Sequence, residues 1–216
     1  MKNFITSVHL HLKSIRFLAF VPFIAVNIIY PLLVYNAYLA FGIDSPLFLS
    51  AIISNACAVF PFFSVWSVIF VLREYAESDG NELLYAIKHK CKLGLSAAVF
   101  AVFMINGLLW FAGFACCVNS HLIYDFITVA CACFMFFGFT YFLIYLTSSV
   151  VLTLMADLFY AFGVIISNFG YSFIFFISGD LLNCKIFMEI CLPQLIAGTV
   201  FIVSGIVLNK KYVRFK

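Results

Sequence analysis

Charged residues are scarce in this chain of 216 amino acids, where they make up 10% of the positions. Hydrophobic residues make up 66%. Soluble domains average about half apolar and about a quarter charged residues, so this composition excludes a sizeable water-soluble domain. The net charge of +3 is too small to indicate a nucleic-acid-binding surface, and no nucleic-acid partner is expected.

Sequence signatures of catalysis and nucleotide binding are also missing. The chain contains no G-x4-G-K-[ST] loop, no H-E-x-x-H motif and no C-x2-C pair. Asp125 and Asp157 are far apart in sequence and are predicted at opposite faces of a membrane, so they do not suggest a pair of catalytic carboxylates. We therefore predict neither an enzyme nor a chain with its own ATP, cofactor or metal site.

Long uncharged runs dominate the sequence. They are Phe17–Ile43, Ser45–Leu72, Leu93–Tyr124, Phe126–Ala156, Leu158–Gly179 and Ile190–Asn209. Each run provides the roughly 20 apolar residues that a helix needs to cross a bilayer. The predicted fold is therefore an all-α polytopic membrane domain over residues 1–216, with six spans. Their approximate bounds are 17–42, 46–72, 94–118, 122–147, 157–178 and 189–209.

Basic residues are distributed in a pattern that predicts topology. Apart from Lys185, the Lys and Arg residues form three clusters: Lys2, Lys13 and Arg16; Arg73, Lys88, Lys90 and Lys92; and Lys210, Lys211, Arg214 and Lys216. Cytoplasmic segments carry the Lys and Arg excess of membrane proteins. Both termini and the loop between spans 2 and 3 are therefore predicted to face the cytoplasm, in a multi-pass protein of the cell membrane.

The first 16 residues alternate apolar and basic positions at helical spacing. Phe4, Val8 and Leu12 recur at steps of four, while Lys13 and Arg16 fall on the opposite side. The pattern predicts an amphipathic helix over residues 1–16 that lies in the membrane interface and contacts lipid headgroups. The alternative is that these residues extend span 1.

Prolines and small residues predict where the spans face protein. Pro22, Pro31 and Pro61 remove backbone hydrogen bonds that a neighbouring helix or water must replace. Asn106 and Gly107 fall near the middle of span 3, where a small residue permits close helix packing. Packing is the interpretation that we favour for them over contact with a substrate.

The join between spans 4 and 5 carries no charge to mark it. Its polar residues are Thr147, Ser148 and Ser149, and the first charge is Asp157. A charged Asp in the middle of a membrane costs about 2.5 to 3.5 kcal/mol on insertion scales. We therefore expect a turn through residues 147–157 with Asp157 at the inner interface. The alternatives are a tight turn that leaves Asp157 two turns inside span 5, and an ion or proton site.

Most of the eight cysteines lie in or beside apolar spans, where a thiol behaves as a small hydrophobic group. Cys184 precedes span 6, and Cys116 and Cys117 lie near the outer end of span 3. A disulfide between Cys184 and either of them is predicted if the outer compartment is oxidising. Free or lipid-facing thiols are the alternative.

The longest polar segment, Arg73–Leu93, holds four of the nine acidic residues. Ser78 or Asp79 is suited to cap a short helix that begins near Gly80. Leu83 and Leu84 contribute to an apolar strip on that helix. A short amphipathic helix between two spans is suited to dock a soluble partner, whereas the alternative is a solvated loop that only fixes topology.

This segment resembles one in the type-2 ATP-binding-cassette (ABC) exporter permeases. In that family an amphipathic helix leads into six spans, and the loop after span 2 contains an E-x(n)-G-x-x-E-L-L pattern followed by basic residues. The matching residues here are Glu74, Glu77, Gly80, Glu82, Leu83 and Leu84, followed by Lys88, Lys90 and Lys92. The usual proline after E-L-L is replaced by Ala86, and basic residues are missing between spans 4 and 5.

The resemblance implies that these residues dock a separate ATPase subunit, which binds the ATP. It further implies a homodimer or a pair with a sister permease, and export of a hydrophobic, peptide or lipid-like substrate. An ATPase-independent secondary transporter and an accessory or assembly membrane protein are the alternatives.

Overall fold

The computed structural model describes residues 20–76, 92–166 and 182–214, and these residues form helices joined by short turns. In chain order the helices are α1 (Val21–Phe41), α2 (Pro46–Ala76), α3 (Lys92–Cys117), α4 (Leu122–Thr147), α5 (Val150–Ile166) and α6, which comprises Cys184–Ile186, Phe187–Cys191 and Leu192–Arg214. The all-α class is thereby confirmed for the described residues.

Five of these helices are long and apolar enough to cross a membrane. The apolar part of α5, Val150–Ala161, is shorter. The structure is therefore consistent with a helical membrane protein. The predicted amphipathic helix at residues 1–16 and the predicted short helix between spans 2 and 3 lie outside the described residues.

Two prolines distort the helices that contain them. The segment Ala25–Ile29 of α1 and the segment Phe187–Cys191 of α6 are π-helical, with hydrogen bonds to the fifth preceding residue. Pro31 and Pro193 follow these segments within two residues. A proline ring clashes with the carbonyl of the fourth preceding residue, so a wider turn relieves the clash.

The helices end at residues that suit the turns. Gly42 follows α1 with a φ of 76°, which a residue without a Cβ adopts readily. Ser148 follows α4 in the left-handed region, with a φ of 54°, and its N–H donates to Ile144 O. Asn183 caps the start of α6, where its side-chain oxygen accepts from Ile186 N–H.

Helix α4 is central and packs against α2, α3, α5 and α6. Its core contacts form two clusters, one around Phe60, Phe111 and Phe126, and the other around Leu72 and Tyr145. Pro22 and Pro61, two of the three prolines predicted to face protein, are buried among the helices, whereas Pro31 is partly buried. Gly107 also packs closely, because a Cβ there would clash with the Phe60 ring.

Helices α4 and α6 run parallel. Gly198 packs on Phe134 and Gly138, and further along, Gly205 packs on Tyr141 and Phe142. Helix α3 runs the other way, since Phe111 contacts Phe126 and Phe100 contacts Phe137.

One end of the bundle therefore gathers the end of α2, the start of α3, the turn between α4 and α5 and the end of α6. We call it the basic end, after Arg73, Lys92, Lys210, Lys211 and Arg214. The opposite end, called the far end, carries the turns after α1 and α3 and the start of α6.

Candidate functional site

The predicted docking segment is anchored at the basic end. Helix α2 ends at Ala76 and α3 begins at Lys92, and Val71 packs against Leu95 and Val99 near these ends. The two ends of the segment are thus held side by side by packed helices. Glu74 lies in the last turn of α2. The other five predicted docking residues, Glu77, Gly80, Glu82, Leu83 and Leu84, lie outside the described residues.

The three cysteines of the predicted outer disulfide all lie at the far end. Cys116 and Cys117 close α3, and Cys184 opens α6. All three thiols are exposed and free in the structure. The disulfide therefore stays a prediction.

Asp157 is a buried carboxyl group inside the bundle. It lies two turns inside α5 and is fully buried, with 0% of its surface exposed. Its Oδ2 accepts a hydrogen bond of 2.8 Å from the Thr140 hydroxyl of α4, whereas its Oδ1 has no partner within the described ranges. The expected placement at the inner interface is therefore wrong. The turn is completed at Ser148 and Ser149, so α5 begins at Val150, well before the predicted start at 157.

Polar groups lie between this carboxyl and the basic end. Ser149, Thr153 and Asp157 recur at steps of four and so share one side of α5. Thr147, at the end of α4, has its Oγ1 3.3 Å from Thr153 Oγ1 and 3.1 Å from Ser149 O. The Thr153 hydroxyl donates to Ser149 O at 2.8 Å. We call Thr147, Ser149 and Thr153 the hydroxyl seam.

A second polar group is made of thiols in the half of the bundle toward the far end. Cys191 Sγ lies 3.9 Å from Thr128 Oγ1, across the contact between α6 and α4. Cys57, Cys131 and Cys133 are also buried. Within 20–76, 92–166 and 182–214, no three His, Cys, Asp or Glu side chains are grouped to hold a metal ion. Burial in an apolar core makes these thiols packing groups.

Asp125 ties the far end of α4 to the start of α6. It is buried in the first turn of α4, and its Oδ1 accepts a 2.6 Å hydrogen bond from Leu182 N–H. Asn183, the next residue, caps α6. This carboxylate thus fixes a chain entry, and a structural role accounts for it.

Thr147 and Ser149 were identified from the sequence as polar residues of the turn, whereas Thr140, Thr153 and Gln194 were not singled out. Gln194 is fully buried, and neither polar atom of its amide has a partner in the described part of the chain. The spacing 149–153–157 was a visible signal for the seam. The Thr140 contact was not visible, because it depends on where α4 ends.

Comparison with models of known protein families gave no match, and comparisons with curated proteins and with solved structures gave none either. The function is therefore argued from the residues of this chain alone.

Proposed function

We propose that this chain is the membrane-spanning permease subunit of an ABC-type exporter, driven by a separate ATPase subunit. The observation that carries the proposal is the segment Arg73–Leu93. Its first half is acidic, an E-L-L sequence follows, and its last residues include Lys88, Lys90 and Lys92. The packing of Val71 against Leu95 supports it, because the segment is braced by two helices that reach into the bundle. A docked partner would push or pull on both helices together.

Six membrane crossings suit the proposal, and the helix directions support them. Helices α4 and α6 are parallel, so the chain between Thr147 and Cys184 must return across the bundle. Helix α5 begins that return. With six crossings both termini lie on one side. The basic end would then face the cytoplasm, according to the rule that Lys and Arg stay inside.

The subunit composition follows from what the chain would need. With no phosphate-binding loop in its sequence, it would obtain ATP hydrolysis from the partner. Six spans would form half of an export pathway, completed by a second copy or a sister permease. The 29 Phe and 11 Tyr residues suit a hydrophobic, peptide or lipid-like cargo.

Affinity purification from the native membrane tests the docking role. The tagged chain, solubilised in mild detergent, should retain a soluble ABC ATPase subunit that mass spectrometry identifies. Glu82→Lys should remove that subunit, because it reverses the charge at the centre of the docking segment. Glu189→Lys is the matched control, since Glu189 is an exposed acid near the far end.

Recovery of the chain without any ATPase would contradict the proposal, as would an ATPase retained equally by Glu82→Lys. The second candidate is an ATPase-independent secondary transporter, which buried Asp157 favours, because ionisable groups inside spans mark transport pathways. An accessory or assembly role remains the third reading of the sequence.

A further inference from the structure

The carboxyl of Asp157 needs a ligand that the described residues do not provide. Thr140 is its one hydrogen-bond partner among residues 20–76, 92–166 and 182–214, and Oδ1 is buried without any. A buried polar atom without a partner costs roughly 1 to 3 kcal/mol, and an unpaired charge costs more. An ionised Asp157 would therefore lack the hydrogen-bond or charge partners that it needs.

Neighbouring charges do not complete it. Helix α5 packs against α2 and α4. The titratable or charged side chains described on these three helices are Cys57 and Arg73 on α2, Tyr124, Asp125, Cys131, Cys133, Tyr141 and Tyr145 on α4, and Tyr160 on α5. Arg73 is exposed at the end of α2, and Asp125 lies in the first turn of α4, toward the far end. The others are thiols and phenols, which offer no positive charge to pair with a carboxylate.

A metal cation fits poorly. Calcium takes six to eight oxygen ligands and magnesium requires a near-ideal octahedron. The described contacts offer one carboxylate and the hydroxyl of Thr140, and no described cluster of ligands could hold a metal. A proton needs a single oxygen atom, and Oδ1 supplies it.

We propose that Asp157 is a proton-binding site, which exchanges its proton with the compartment at the basic end through the hydroxyl seam. Proton uptake forms one O–H bond at Oδ1 and converts the carboxylate into a neutral acid. Thr140 continues to donate to Oδ2 in both states. Proton release breaks the O–H bond and returns the proton to water at the basic end, with no other bond changed.

The seam provides the polar route that an apolar bundle otherwise lacks. The hydroxyls of Thr147 and Thr153 are 3.3 Å apart, and they contact the backbone carbonyl of Ser149 at 3.1 and 2.8 Å. Thr153 precedes Asp157 by one turn, and the Cβ atoms of side chains so placed are about 5 to 6 Å apart. The proposed route therefore needs a water molecule to bridge Thr153 and Asp157. This inference goes beyond the proposed function, because it holds whether or not an ATPase docks.

Labelling with dicyclohexylcarbodiimide tests the site in the full-length chain. This apolar reagent reacts with carboxylic acids in their protonated form, and peptide mass spectrometry locates the adduct. The chain is reconstituted in lipid vesicles whose internal and external pH are set separately. An adduct is expected on Asp157, and its yield should rise as the pH on the side of the basic end falls.

Matched variants separate the site from its route. Asp157→Asn should abolish the adduct, whereas Asp125→Asn should retain it. Thr153→Val should slow the response to a pH step at the basic end, whereas Thr199→Val, at an exposed position on α6, should leave it unchanged. Mapping the adduct in the unsubstituted chain keeps the test valid if a variant fails to fold.

Absence of an Asp157 adduct at every pH would overturn the proton-binding site. The proposed route would be overturned if the adduct yield depended only on the pH at the far end. It would also be overturned if the adduct yield of Thr153→Val responded to a pH step at the basic end as fast as that of the unsubstituted chain.

Discussion

At the scale of single residues, the hydrogen bond from Thr140 to Asp157 makes a measurable contribution to stability. Thr140→Val keeps the volume but removes the 2.8 Å bond and leaves both carboxyl oxygens unpaired. Hydrogen bonds between membrane helices contribute about 0.6 to 2 kcal/mol. We expect the thermal unfolding midpoint in detergent to fall accordingly. Thr199→Val is the control, because its hydroxyl bonds to Ile196 O within the same helix. Equal midpoints for the two variants would show that the bond is not stabilising.

Asp157 also shows which information a sequence lacks at this scale. The residues between Phe126 and Ala156 carry no charge, so only the polar cluster Thr147, Ser148 and Ser149 marked the turn, and it did not fix where the next helix begins. The structure ends α4 at Thr147 because Ser148 adopts a left-handed conformation, which is uncommon for residues other than Gly, Asn and Asp. A shift of the turn by a few residues decides whether Asp157 is interfacial or buried. The sequence singled out Asp157, but the environment predicted for it was wrong.

At the scale of helices, the contact between α4 and α6 depends on two glycines. A Cβ at Gly138 would meet the backbone of Gly198, 3.0 Å from its Cα, and backbone atoms cannot rotate away as a side chain can. Gly138→Ala should therefore separate the helices and destabilise the protein by about 1 to 3 kcal/mol. Thermal unfolding of the purified variant in detergent measures the loss.

Gly113 of α3 provides the control for this prediction. No atom lies within 4 Å of where its Cβ would be. Since alanine is favoured over glycine inside helices by about 1 kcal/mol, Gly113→Ala should leave stability unchanged or raise it. If Gly138→Ala were as stable as Gly113→Ala, the close approach of α4 and α6 would be wrong.

Helix identity was more predictable than helix ends. Uncharged runs of sufficient length located five of the six described helices, because a long apolar run is the main sequence signal of a membrane-spanning helix. For example, α4 spans Leu122–Thr147, against a predicted span of 122–147. Helix α5 was not located in this way, because it contains Asp157, which separates two of the runs. The start of α6 was set too late, at residue 189, because Lys185 was assigned to the loop before the span. Asn183 caps the helix ahead of Lys185, whose side chain is exposed.

At the scale of the whole molecule, the even-numbered helices run in one direction and α3 in the other. A short turn joins α3 to α4 and forces them to be antiparallel, and α2 packs antiparallel to α3. Charge distribution predicts how the bundle is oriented in the membrane. Neither property identifies a partner, and docking by the segment between α2 and α3 stays a proposal. Topology is therefore the global property that sequence reasoning reaches most directly.

Thiol accessibility tests this topology, since the chain carries its own probes. Cys184 is exposed at the start of α6, and Cys91 belongs to the segment predicted to face the cytoplasm. A membrane-impermeant maleimide added to intact cells should modify Cys184, whereas Cys91 should react only after the membrane is opened. Mass spectrometry of the peptides distinguishes the two. Buried Cys57 and Cys133 are internal controls, which should react only after unfolding. Labelling of Cys91 but not Cys184 in intact cells would show that the bundle has the opposite orientation in the membrane. The basic end would then face outward, where no ATPase could dock.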